Sequence, residues 1–375
     1  MTTYEPDGTD ETYRIRFLRQ DEREAFLDLY RPIMGSASPE WFDWKYVENP
    51  AVSHVPVLVA EAESSGELAA ARPQVPYRMV VDGEETLALR FGDTIVHEDH
   101  RRRGLFTATT TEAMDYYRRH PPAFAFNFPN ELSEPGYLKS GGHVVEEIPT
   151  HYRVQDPAGL AGKADSSVLA RVANAGAGVV DAATAAVDAA RRVPDGVRVM
   201  RHERPPPGRL AALADGSNEP GIHARRDEAF YGWRFRNPRW EYRAYVAERD
   251  GEDVAALVTG TGERDDAVVT NVMEPVPLDP GARPRDATRA LFEAVVRDAD
   301  ESDVVAFAGR SVDRSLLRRF GFLPDDRRPL SAVTSPSRHV AYDLTREDEP
   351  SWRVGGLELR RPENWALTLS EHDSR

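Results

Sequence analysis

At 375 residues the chain is too long for one ordinary hydrophobic core and comfortable as two domains. A formal charge of −15 excludes general nucleic-acid binding, which needs a basic face, and zero cysteines exclude disulfides, thiolate metal sites and a cysteine nucleophile. The acidic, polar start and the lack of any apolar run near ~18 residues predict a cytoplasmic protein with no leader and no membrane span.

Only Lys45, Lys139 and Lys163 are lysines among the 48 basic residues. Acid excess with so little lysine fits adaptation to high salt, a GC-rich genome favouring arginine and alanine codons, or both.

In chain order, Tyr13-Arg14-Ile15-Arg16 predicts a first strand, and Trp41-Phe42-Asp43-Trp44-Lys45-Tyr46-Val47-Glu48-Asn49-Pro50 comes next in a helical region. Its aromatic residues are predicted to be core rather than the wall of a pocket. A strand at residues 57–61 ends in Val-Ala-Glu, a hairpin turn holds Gly66-Glu67, and a further strand opens at Leu68-Ala69-Ala70. Residues 87–96 are extended and apolar. They lead into His100-Arg101-Arg102-Arg103-Gly104-Leu105-Phe106-Thr107 and a predicted helix over 106–119. Phe124-Ala125-Phe126 reads as a buried strand ended by Pro129, with Asn130 able to make a tight turn and N-cap. Tyr137 then precedes Gly141-Gly142.

An alanine-rich stretch, residues 164–193, predicts one or two linking helices, with Asp165 or Ser166 as N-cap. After it the pattern begins again. Val197-Arg198-Val199-Met200 matches the first strand, and Pro205-Pro206-Pro207 is read as a turn. Phe230-Tyr231-Gly232-Trp233-Arg234-Phe235-Arg236-Asn237-Pro238 echoes the Trp41 stretch, and residues 244–248 again end in Val-Ala-Glu before a Gly251-Glu252 turn. Far downstream Leu317-Arg318-Arg319-Phe320-Gly321-Phe322 corresponds to Tyr137-Leu138-Lys139-Ser140-Gly141-Gly142. Matching order over more than a hundred residues predicts a duplicated unit. The C-terminal stretch from Trp365, with Glu371, His372 and Asp373, is predicted as a tail strand with a frayed polar end, lacking metal-ligand spacing.

The 100–107 run carries the chemistry. A strand, a basic turn with one glycine and a helix N-terminus together hold phosphate: unpaired N–H groups of the first turn point at the anion and the helix dipole favours its charge. Gly104 lets the backbone approach closely. The run resembles the Arg/Gln-x-x-Gly-x-Gly/Ala loop with which GNAT-family N-acetyltransferases hold the pyrophosphate of acyl-CoA. Phe106 departs from the Gly or Ala that usually closes it.

This resemblance implies an α+β chain of two tandem GNAT-like domains, each a mixed, centrally splayed sheet flanked by helices. Expected bounds are 1–157 for an acyl-CoA-binding domain, 158–195 for the helical linker and 196–375 for a second, degenerate copy with its tail. It further implies that Arg101, Arg102, Arg103, Gly104, Leu105, Phe106 and Thr107 hold acetyl-CoA. Asn130 would face the pantetheine arm, and backbone N–H groups of Thr94, Ile95 and Val96 would hold the oxyanion. Tyr137 is implied as the general acid. Collapse of the tetrahedral intermediate expels a thiolate whose thiol has a pKa near ~8.5, and a neutral phenol can protonate it. For the base, Asp93 is preferred over His97, Glu98 and Asp99 because Gly92-Asp93-Thr94 lies in the strand that lines the cleft; an ordered water is the alternative. His97 to His100 are predicted to form an exposed turn.

Copy two lacks these features. Pro280-Gly281-Ala282-Arg283-Pro284-Arg285-Asp286 stands where the loop should be, Pro284 removes a donor N–H, and Leu317 replaces the tyrosine. The expectation is an N-acetyltransferase acting on a small-molecule or peptide amine by direct attack in a ternary complex, without metal. The rivals are a non-catalytic acyl-CoA-sensing module and acyl or aminoacyl transfer in cell-envelope assembly.

Overall fold

The computed structural model describes residues 2–119, 122–131, 133–156, 160, 171, 196–216, 221–264, 266–345 and 350–372. Apart from Leu160 and Arg171, the expected linker at 158–195 lies outside them.

The chain forms two compact units. The first comprises Met1–Glu146, Gly221–Arg225 and Arg338–Trp365. Its main sheet runs, in spatial order, Thr2–Tyr4, Tyr13–Phe17, Val57–Ala62, Leu68–Val81, Glu84–Phe91, Pro122–Asn127, Ser337–Asp343 and His143–Ile148. Glu84–Phe91 and Pro122–Asn127 run parallel, while the pairs on either side of them are antiparallel. The helix Leu105–Arg118 buries Leu105, Ala113, Met114 and Tyr117. That stripe recurs at helical spacing and seals one face of the sheet against Ile15, Leu58, Leu89 and Phe91.

The second unit has the same plan, in the order Arg198–His202, Glu241–Arg249, Glu252–Arg264, Ala267–Val276, Val304–Ala308, Thr150–Val154 and Leu323–Pro324. Here Ala267–Val276 and Val304–Ala308 are the parallel pair. The helix Arg285–Asp298 buries Ala287, Leu291, Phe292 and Val295 in its core.

The repeated segments share backbone detail. Gly142 N–H donates to Tyr137 O at 3.1 Å, and Phe322 N–H donates to Leu317 O at 3.1 Å. The intervening Gly141 and Gly321 take φ of +92° and +78°, the left-handed turn that glycine accepts without strain. Asn49 and Asn237 are both buried, and each side-chain oxygen accepts from the N–H two residues on. A register shift comes after Ala60 in one sheet and Ala247 in the other.

Each sheet also contains a strand from the other half of the chain. Ser337–Asp343 pairs with Pro122–Asn127, and Thr150–Val154 pairs with Val304–Ala308. The units are therefore not the contiguous stretches 1–157 and 196–375. Strand pairing is non-local, and an alternating segment carries the same pattern whichever neighbour it joins.

Two local readings differ from the structure. Pro206 and Pro207 open the helix Pro207–Asp215 rather than make a turn, because a fixed φ and a missing N–H suit the first helical position. The C-terminal stretch is packed as far as His372, and Asp373 lies outside the described residues. Thr368, Ser370 and Glu371 are buried, and Arg226 donates from Nη2 to Glu371 at 2.7 Å and from Nε to Glu274 at 2.5 Å.

Asp325 links Leu323–Pro324 to Thr150, accepting from Thr150 N–H at 2.9 Å. Burial pushes its carboxyl up to about 7. A carboxyl raised above its unfolded value of ~3.9 contributes stability that is full below that value. The contribution is lost as pH rises through about 7. Thermal unfolding at pH 5 and pH 8 should show wild type losing more stability across that interval than Asp325→Asn. Parallel pH dependence in the two proteins would refute the assignment.

Candidate active site

The parallel ladder of the first unit stops early. Its register runs from Leu87 opposite Pro122 to Arg90 opposite Phe126. Beyond Arg90 the chain turns away, and Ile95–Val96 pairs instead with Ala70 and Ala71. Pro129 lies just past Pro122–Asn127 and carries no N–H, which removes a ladder donor there. The sheet is thus splayed between residues 92–96 and 127–129. His97 N–H donates to Ala69 O at 2.9 Å. By strand alternation the N–H groups of Thr94 and Val96 face the opposite way, toward the opening. Ile95 is buried and fixes this stretch to the sheet.

The 97–107 loop is built at the mouth of the splay. His97 caps the short turn Glu98–His100. Arg103 Nη1 donates to Tyr13 Oη at 2.7 Å, Tyr13 in turn bonds His100 Nδ1 at 2.8 Å, and Arg103 Nη2 donates to Asp99 O at 2.9 Å. Burial and the Arg103 charge lower the His100 pKa. Arg103 therefore braces the loop, while Arg101 and Arg102 are exposed cations. Gly104 is the N-cap of Leu105–Arg118 at φ +74°, and a Cβ there would overlap Tyr4 Oη. The N–H groups of Leu105, Phe106 and Thr107 belong to the first helical turn, which has no intrahelical partners for them. A helix N-terminus, a glycine that admits no side chain and two exposed guanidiniums together suit a pyrophosphate.

Tyr137 is buried on the helix Glu134–Lys139. Its ring packs between Phe91, Phe106 and Tyr342, with centroids 6.5, 6.0 and 6.3 Å away. Phe106 thus covers Tyr137 and lies on Gly136, where a Cβ would meet the phenyl ring at 3.1 Å. Tyr137 Oη accepts a hydrogen bond from Arg72 Nη1 at 2.9 Å. Asn130 is exposed, and its side-chain oxygen accepts from Ser133 N–H at 2.9 Å, capping the turn before the Tyr137 helix.

Asp93 is buried just past the strand Glu84–Phe91. Its Oδ2 receives Lys45 Nζ at 3.3 Å and Tyr30 Oη at 3.3 Å, and Lys45 lies over the Trp41 ring at 4.8 Å. Trp41, Trp44 and Trp233 are core residues. Removing one member of a buried ion pair strands the other, at a cost of about 3–5 kcal/mol. Lys45→Met should lower the unfolding free energy by that amount in urea titration, with Lys45→Met/Asp93→Asn losing less than Lys45→Met alone. Equal losses would show that the two side chains are uncoupled.

The second unit's corresponding ladder ends at Val272 opposite Phe307. Its helix opens behind Pro284, the Arg283 guanidinium is turned inward onto Ser311 O, and Leu317 is buried core. The C-terminal stretch occupies this ladder end: Thr368 Oγ1 bonds Glu274, Ser370 Oγ donates to Met273 O at 3.4 Å, and Leu367 O lies against Gly309. Desolvation raises the Glu274 pKa, with Arg226 opposing and Glu371 reinforcing the shift. Among the described residues no cluster of three or more His, Asp or Glu could hold a metal ion, and no described helix is long and apolar enough to cross a membrane.

A mixed sheet with one shortened parallel ladder, a basic glycine turn and a long helix over the gap has the GNAT architecture. Residues 14–144 match the family described as acetyltransferase (GNAT) domain. Solved structures agree in fold. A GCN5-related N-acetyltransferase from Anabaena variabilis superposes with TM-score 0.58 at 9% identity, over 89% of this chain and 73% of that one. One from Kribbella flavida gives 0.53 at 14%, over 88% and 71%. Saccharomyces cerevisiae N-myristoyltransferase with bound myristoyl-CoA gives 0.57 at 12%, over 90% and 80%. No curated protein sequence matches the chain.

Proposed function

We propose that the protein is an acyl-CoA-dependent N-acyltransferase, most simply an N-acetyltransferase, whose reaction belongs to the first unit. The observation that carries this reading is a convergence at one ladder end. The splay, the Gly104 helix N-terminus with Arg101 and Arg102, and the Tyr137 hydroxyl all belong to the same short stretch of fold. The N-myristoyltransferase fold neighbour, which holds an acyl-CoA, supports the donor class.

In this reading the pyrophosphate is held by the N–H groups of residues 105–107 and by Arg101 and Arg102, with Arg103 bracing the loop. An amine nitrogen attacks the thioester carbonyl while N–H groups facing the opening receive the oxygen's developing charge. The C–S bond then breaks, its electron pair goes to sulfur, and Tyr137 gives that sulfur a proton. Asp93, engaged by Lys45 and Tyr30, anchors the strand end, so an ordered water is the better carrier of the amine's proton. The second unit keeps the fold without the grip, its ladder end taken by the chain's own C-terminal stretch. The acidic, lysine-poor composition fits a protein suited to high salt, a GC-rich genome, or both.

The test is release of free thiol from acetyl-CoA, and from longer acyl-CoAs, with a panel of small-molecule and peptide amines. Thiol release that depends on an amine supports the enzyme. Measurable CoA binding with no turnover on any donor would make the chain a binding module instead.

A further inference from the structure

The strand Leu68–Val81 carries a charge that has no counter-charge. Arg72 is fully buried, and among the described residues no carboxylate lies within ion-pair distance of it. Two other buried arginines show the usual compensation: Arg16 is paired with Glu22 and Glu61, and Arg226 with Glu274 and Glu371. Arg72 instead donates from Nη1 to Tyr137 Oη at 2.9 Å, to Thr94 Oγ1 and to Gly92 O at 3.4 Å. Aromatic faces surround the guanidinium, with Phe91, Tyr137 and Phe106 centroids 4.6, 5.1 and 5.8 Å from its carbon. Its Nε and Nη2 have no partner.

A buried cation with no anion is expensive to fold, so an apolar or amide side chain would serve stability better. Arginine is also donor-only and keeps its charge at any working pH. Tyr137 Oη, which accepts from Nη1, therefore directs its own proton away from Arg72. The same nitrogen reaches Thr94 and Gly92, which joins the acid to the strand end whose N–H groups face the opening.

We infer that Arg72 is the positioning residue of Tyr137 and supplies the counter-charge for the phenolate that forms when Tyr137 protonates the departing sulfur. The balance is simple: the proton leaves Tyr137 Oη for the thiolate, the negative charge moves to that oxygen, and Arg72 is already bonded to it. Water later returns the proton. This inference rests on the reading of Tyr137 as general acid.

Arg72→Met tests it through two readouts that a structural role would move together. With saturating acyl-CoA, kcat should fall roughly 100-fold, the scale for losing one pre-placed donor at a developing charge. KM for acyl-CoA should stay within about threefold. The thermal midpoint should hold or rise, because an unpaired buried charge has been removed. Arg72→Lys should recover kcat to within about tenfold of wild type by restoring the charge. In a Tyr137→Phe background, Arg72→Met should cost little more, since the two act as one unit. A variant that fails to fold, or loses midpoint along with kcat, would make Arg72 structural and overturn the inference. So would a double variant whose loss is the product of the single losses. If Tyr137→Phe itself is fully active, the general-acid reading fails first and independently.

Discussion

Gly104→Glu is expected to abolish acyl-CoA binding, measured by calorimetry at the protein's working salt. Three effects act together. Gly104 sits at φ +74°, where a residue with a Cβ is strained by roughly 1–2 kcal/mol. The added Cβ would overlap Tyr4 Oη, which donates to Arg103 O at 3.0 Å and ties the N-terminal strand to the loop. The new carboxylate would then stand at a helix N-terminus proposed to hold a pyrophosphate, where it both competes for the N–H groups and repels the ligand. Gly104→Ala separates the causes, since it keeps the steric and backbone penalties without the charge and should weaken binding less. Replacing residues 281–286 of the second unit should leave affinity unchanged. Undiminished affinity in Gly104→Glu would remove the loop from the site.

The loop was legible because its signal is local: a glycine, flanking arginines and the onset of an apolar helical period fall within eight residues. The repeat was legible for a similar reason, since Asn49 and Asn237, or Gly141 and Gly321, each answer a backbone requirement that sequence states directly. Strand exchange was not. Thr150–Val154 and Ser337–Asp343 carry ordinary alternation, and nothing local specifies which parallel pair each extends. Asp93 was visible as a carboxylate at a strand end, but its engagement with Lys45 depends on a residue 48 positions away. Arg72 had a fainter trace. A charged residue and an amide, Arg72 and Gln74, fall two apart in an otherwise apolar run and so lie on one face of the strand. The buried tail was hidden because Thr368, Ser370 and Glu371 are polar; their partners Arg226 and Glu274 make that burial tolerable.

Tyr137→Phe separates chemistry from binding most cleanly. The ring is buried between Phe91, Phe106 and Tyr342, so phenylalanine keeps that packing and removes only the oxygen. Binding of acyl-CoA should stay within about threefold, because the grip proposed at residues 101–107 is untouched. Turnover should fall by roughly 10²–10⁴, the range for a positioned general acid. The pH dependence supplies a check that does not rely on the size of the loss. A thiolate leaving group needs a proton most when the medium lies below its thiol's pKa of ~8.5. Above that value it departs as the stable anion, so the ratio of wild-type to variant kcat should shrink as pH rises from 7 to above 9. Thiol release measured across that interval decides the matter. A variant within threefold of wild type at pH 7, or a ratio that does not change with pH, would take the proton-donor role away from Tyr137 and leave its ring as packing for the splayed strand.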